Sequence, residues 1–146
     1  MSAFGGRTRA ELRQSYADAW RKRLAGVLLT PLEAMIADVI ALHPEYHELL
    51  GDPARAAAYA GDALQAAENP FLHMGLHLAV RDQLAIDRPP GVRDLHRALQ
   101  RRVADAHAAE HELMQALGET LWEAQRSGRP PDERQYLERA RRRSGP

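Results

Sequence analysis

Apolar residues recur at intervals of three and four through most of the chain, and no stretch alternates with the period of two that a half-buried strand requires. Leu12, Tyr16, Ala19, Trp20, Leu24 and Val27 make a first amphipathic stripe. Thr8, with Glu11 three residues on, reads as a capping box, so a helix is expected from near Thr8, ended or interrupted at Gly26. Thr30-Pro31-Leu32-Glu33 combines an N-cap, proline at the first helical position and Glu at the third, a strong second start. Leu32, Met35, Ile36, Val39 and Ile40 continue as one stripe. Its next member is His43 rather than an aliphatic residue. Pro44 disfavours helix at His43, so the helix is expected to end or kink there, with a short continuation from Pro44 to Leu50 that carries His47 and closes at Gly51. Asp52-Pro53 opens a weak, alanine-rich helix to about Ala60, interrupted by Gly61 and read as a covering arm.

The chain is organised around Asn69-Pro70-Phe71-Leu72-His73-Met74-Gly75-Leu76-His77. Asn69 is a good N-cap and Pro70 suits the first helical position of a helix expected to reach about Ile86. From Phe71 to Val80 it is apolar on every side apart from two histidines, which predicts a central, buried element. Asp87-Arg88-Pro89-Pro90-Gly91 is a breaker. One long helix is then expected from about Val92 to Ser127, with Leu95, Leu99, Val103, Ala106, Leu113, Leu117 and Leu121 on its apolar face. Gly128 and Pro130-Pro131 stop it. A last helix, about Pro131 to Ala140, can dock Tyr136 and Leu137. The pattern predicts an all-α fold: an antiparallel helical bundle of four main helices with short extra helices. It is expected as one domain over 1–146, with 1–7 a loose lead-in and 141–146 a frayed basic tail.

Composition narrows the function. The 146 residues can bury a core without staples, and 20 Lys+Arg balance 20 Asp+Glu, so nothing points to nucleic acid or an anionic membrane. There is no cysteine, which removes disulfides, thiolate zinc sites, iron–sulfur clusters and a cysteine nucleophile together. No stretch is apolar enough to span a membrane, the N-terminus lacks the apolar core of a signal peptide, and the expected location is the cytoplasm.

Histidine is the outlier, with seven in the chain. Six fall into i,i+4 pairs, His43/His47, His73/His77 and His107/His111, where random placement gives roughly 0.3 such pairs. Residues four apart stack on one helix face, and each pair sits on or beside an apolar stripe. A buried imidazole needs a partner for each nitrogen, and a metal is the simplest common partner for several. Glu110 falls near the middle of the apolar face, where a carboxylate is costly unless paired or bound to a cation. The expected ligand pool is therefore His43, His47, His73, His77, His107, Glu110 and His111. Plain alternatives stand beside it: a helix-end role for His43, core histidines bonded to carbonyls at 73 and 77, half-exposed polar residues at 107 and 111, and a salt bridge from an arginine to Glu110. His96 is unpaired and is read as a surface or packing histidine. Glu33 is explained by its capping box, and Glu68 can reach the site or favour the helix dipole.

Nitrogen donors with some oxygen and no sulfur suit zinc, iron, nickel or copper, with iron or zinc the leading cofactors. The pool exceeds one tetrahedral site and suits two ions, or one with outer histidines. The Glu-x-x-His pattern of carboxylate-rich di-iron proteins is absent; a hemerythrin-like arrangement is nearer in ligand type but not in spacing. Haem is weaker because aromatic content is 5%. Three functions remain: a metal-binding bundle, a metal-dependent enzyme with no assigned catalytic residue, or a non-catalytic dimeric interaction module with structural histidines. No Ser/His/Asp or phosphate-loop signature offers another chemistry.

Tyr16-x-x-x-Trp20-x-Lys22, Pro31-Leu32-Glu33, His43-Pro44-Glu45-Tyr46-His47, the string from Asn69 to His77, Asp87-Arg88-Pro89 and His107-x-x-Glu110-His111 together resemble a bacterial family called domain of unknown function 1841. The resemblance runs from about Arg13 to Tyr136. It departs at Arg81-Asp82-Gln83, where Glu-Gln is the commoner ending and no proposed ligand stands. It implies a small cytoplasmic bacterial protein and carries no activity with it.

Overall fold

Side-chain caps start the helices where the local sequence places them. The computed structural model describes residues 8–59, 69–103 and 105–145. The expectations for residues 1–7, for Ala60 and Gly61, and for Glu68 lie outside the described residues. Helix α1 (Arg9–Leu24) begins with the Thr8 side chain accepting from Glu11 N–H. Gly26, at φ 71°, ends it, and Val27 N–H reaches back to Lys22 O at 3.0 Å. Helix α2 (Pro31–Ala41) has the complete capping box between Thr30 and Glu33. Pro44 stops α2, and a 3₁₀ turn over Pro44–Tyr46 leads into the single turn α3 (His47–Leu50). The Asp52 carboxylate caps α4 (Pro53–Ala57), which packs on α1 as the expected arm.

Helix α5 (Pro70–Ile86) starts with Asn69 Oδ1 accepting from Phe71 and Leu72 N–H. It is not apolar-buried all round, since Leu72 is exposed, but Phe71, Met74, Leu76, Leu78 and Val80 are buried. Arg93 closes its far end, donating to Leu84 O at 2.7 Å and Ala85 O at 2.6 Å.

The single helix expected over Val92–Ser127 is two: α6 (Val92–Arg102) and α7 (Ala106–Ser127). Val103 is extended, and the Asp105 carboxylate accepts from Ala108 N–H at 2.8 Å, so a fresh N-terminus forms with no glycine or proline present. Leu121, placed on the apolar face by a continuous projection, is exposed, while Leu113 and Leu117 are buried. Asp105→Ala should cost about 1 kcal/mol of stability, read from the midpoint of urea unfolding; an unchanged midpoint would mean the cap does not define this start. Gly128 at φ 71° ends α7. Helix α8 (Glu133–Arg143) continues beyond Ala140, and Arg143 pairs with Glu112 at 2.6 Å.

The protein is all-α: eight α-helices and no strand among the described residues. It divides into two compact units, Met1–Met74 and Gly75–Pro146, with the boundary inside α5. In the first, α1 packs against α2 and α4 around Trp20, Ile36 and Ile40. In the second, α7 packs against α6 and α8 around Leu99, Leu113 and Tyr136, and the Tyr136 hydroxyl donates to Gln83 Oε1 at 2.6 Å. Among the described residues no helix is long and apolar enough to cross a membrane.

Candidate metal centre

In the second unit α5 and α7 bring three imidazoles and one carboxylate together. His77 lies among Leu76, Leu78 and Val80 on the apolar helix and is 0% exposed. The start that Asp105 sets for α7 turns Ala109, Glu110, Leu113 and Leu117 inward. Glu110 is thereby 6% exposed, and His107 and His111 flank it half-buried.

Glu110 Oε1 takes two donors: His77 Nδ1 at 2.7 Å and Arg81 Nε at 2.9 Å. Burial alone would raise its pKa, but the hydrogen bonds from His77 and Arg81, together with the Arg81 charge, outweigh that and hold the carboxyl down at about 2. The carboxylate is therefore ionised at neutral pH and can only accept, so the proton of a neutral His77 sits on Nδ1. The other nitrogen, Nε2, is then a lone-pair donor, and it faces His111 Nε2 at 3.1 Å. Ring centroids of His77 and His107 are 5.2 Å apart, and those of His107 and His111 are 4.3 Å apart. One nitrogen from each of the three rings lies within 4.8 Å of the others.

That geometry suits a shared cation. With metal–nitrogen bonds of 2.0–2.1 Å, two ligands sit roughly 3.3–3.4 Å apart on a tetrahedral ion and about 2.8–3.0 Å apart when adjacent on an octahedral one. The 3.1 Å separation of His77 and His111 falls between the two. A metal-binding histidine also usually donates its remote N–H to a carboxylate or carbonyl, which fixes the ring and raises its basicity. His77 does so through Glu110.

The first unit treats its histidines in two ways. His43, buried at the end of α2, donates Nδ1–H to Val39 O at 2.7 Å and presents Nε2 to His73 Nε2 at 3.1 Å. Tyr46 stacks on the His43 ring at 5.2 Å. His47 instead turns Nε2–H to Ile40 O at 2.8 Å and lays its ring against Trp20 at 4.5 Å. That is the carbonyl-bonded, structural role weighed from the sequence, assumed here by a different histidine from the pair it was weighed for. Glu110 is likewise a partner of a histidine, and the arginine salt bridge weighed against a ligand role exists. Arg81 stands four residues after His77 and so on the same face of α5, which is the signal the sequence carries for it. Glu33 is occupied by its cap and by Lys22 at 2.6 Å. His96 is half-buried, with Nε2 3.3 Å from Ala106 O.

Comparisons with curated proteins and with solved structures give no match. The family model described as a domain of unknown function (DUF1841) matches residues 8–142, nearly the whole chain and every residue of the site. On that match, the chain belongs to the DUF1841 family.

Proposed function

We propose that this protein binds a transition metal, zinc or iron, through His77, His107 and His111, with Glu110 and Arg81 behind His77. The observation that carries the reading is the wiring of His77: a buried imidazole whose Nδ1–H is held by an ionised carboxylate, so that Nε2 is offered to two further imidazoles. All-nitrogen donors favour zinc or iron over magnesium and calcium. Three imidazoles match the protein ligand count of catalytic rather than closed structural zinc sites, which keeps a metal-dependent reaction within this reading. The lack of cysteine goes with work in a reducing cytoplasm.

Element analysis of untagged protein tests it. About one equivalent of zinc or iron is expected at this centre, lost in His111→Ala, whose half-buried position spares the core. Circular dichroism should show the variant still helical. Metal retained at the wild-type level in His111→Ala would refute the assignment.

A second reading has its own observation. His47 is already a structural histidine, and Leu24, Val27 and Leu28 are exposed at the end of α1, with Leu28 93% exposed. A non-catalytic dimer sharing this apolar turn takes the place of the metal reading if purified protein carries no metal and sediments as a dimer.

A further inference from the structure

Where α7 turns back into α8, the second unit keeps a cavity of about 280 Å³ that no residue of the metal centre lines. Gly128, at φ 71°, ends α7, Pro130 and Pro131 stiffen the turn, and the Asp132 carboxylate caps α8. Arg139, from α8, lines this cavity with 20% of its side chain exposed. Its Nη1 donates to Thr120 Oγ1 at 2.9 Å, and the Thr120 hydroxyl donates in turn to Ala116 O at 2.8 Å. Thr120 is 3% exposed, so the two bonds hold the guanidinium in one place.

A guanidinium is always charged and carries five N–H donors. Among the described residues, the Arg139 guanidinium makes one hydrogen bond, the one to Thr120. Its one ion pair there is with Glu119, whose Oε2 stands 3.8 Å from Nε, beyond hydrogen-bond reach. Glu119 is 52% exposed at its side chain and also faces Arg143 at 3.5 Å. The Nε/Nη2 edge, which can grip a carboxylate or phosphate through two parallel bonds, therefore has no acceptor among the described residues. A mostly buried cation with idle donors is unfavourable unless something meets it.

The acids at the cavity are engaged elsewhere. Both oxygens of Glu123 face Arg126, at 3.3 and 3.4 Å, and Asp132 Oδ1 accepts from the N–H groups of Arg134 and Gln135 at 2.9 and 3.2 Å. Arg129, exposed in the turn, has no ion pair among the described residues. The exposed Gln135 side chain adds a neutral donor. The cavity thus offers donors in excess, and its volume lies just below the roughly 300–1,000 Å³ of drug-sized pockets, so its occupant is small. We propose that this cavity binds a small anion carrying a carboxylate or phosphate group, gripped by the Nε/Nη2 edge of Arg139 and by Arg129. It shares no residue with the metal centre, so the two assignments stand or fall separately.

Titrating metal-free full-length protein with sodium phosphate and, separately, with sodium succinate tests this. The NMR signals of the Gln135 side-chain amide and of Arg139 Nε–H report binding, at constant ionic strength to exclude general screening. Saturation with a Kd of about 1 mM or tighter is expected for at least one anion. Tighter phosphate binding would mark a phosphorylated ligand, and tighter succinate binding a carboxylic acid. Arg139→Gln should weaken binding at least about tenfold, and Arg129→Gln about threefold. Arg97→Gln, which does not line the cavity, should change nothing. If circular dichroism shows that Arg139→Gln has lost helicity, the exposed Arg129→Gln decides in its place. No saturation by about 10 mM of either salt, or saturation unaltered in the folded Arg129 and Arg139 variants, would overturn the proposal and leave Arg139 as a tether between α8 and α7.

Discussion

Glu110→Ala is expected to destabilise the protein by about 3–5 kcal/mol, the usual cost of removing one partner from a buried ion pair. Two donors lose their acceptor at once: His77 Nδ1–H, on a fully buried ring, and the Arg81 guanidinium. Arg81 keeps partial access to water, with 24% of its side chain exposed, which moves the expectation toward the lower end. Urea unfolding of metal-free protein measures it. Glu110→Gln should cost less, because its side-chain oxygen still accepts from His77 while the charge facing Arg81 is gone. Adding Arg81→Met to Glu110→Ala should recover part of the loss by removing the stranded cation. An alanine variant within about 0.5 kcal/mol of wild type would show that the carboxylate is dispensable, as ordinary surface positions are. The same variant should weaken metal binding by about 10–100-fold, because His77 would lose the acceptor that fixes its tautomer.

Acid should remove that stabilisation along a defined course. Burial pushes Glu110 up, but His77 and Arg81 prevail and bring the carboxyl from an ordinary 4.5 down to about 2. A group whose folded pKa is depressed stabilises the fold above its unfolded pKa and loses that contribution as pH falls through the folded value. The contribution is therefore complete above about pH 5.5 and fades between pH 4.5 and pH 2, and a shift of that size is worth on the order of 3 kcal/mol. Other groups titrate over the same range, so the useful quantity is the difference between wild type and Glu110→Gln, measured on metal-free protein. That difference should shrink steadily below pH 4.5 as the wild-type acid protonates and comes to resemble the amide. A difference independent of pH from 6 to 3 would mean that the carboxylate does not gain its stability from His77 and Arg81.

The residues that were legible in advance share one property: their partners lie within four positions. Thr8 with Glu11, Thr30 with Glu33 and Asn69 with Phe71 and Leu72 are such contacts, and each marks a helix start in the structure. The break before α7 is also local, through Asp105 and Ala108, but it lies inside an apolar run that reads as continuous helix. Asp105 is a good N-cap, but the apolar periodicity on both sides of it masks that signal. His47 illustrates the opposite limit. Its pairing with His43 at four residues suggests a shared face, yet Pro44 ends α2 between them, and the two rings serve different partners. Arg81 could not be joined to Glu110 from the sequence because 29 positions separate them.

Alone, the chain determined its helical class, most of its helix starts, its lack of thiolate ligands and the concentration of histidine on apolar stripes. These follow from the helical period and from caps, which act over a single turn whatever surrounds them. Only the tertiary structure decided that His77 faces His111 while His47 faces a carbonyl, and that Glu110 secures a histidine with the help of Arg81. Those choices depend on how each helix is rotated against its neighbours. Packing of the whole apolar face sets that rotation, and no single residue or spacing encodes it.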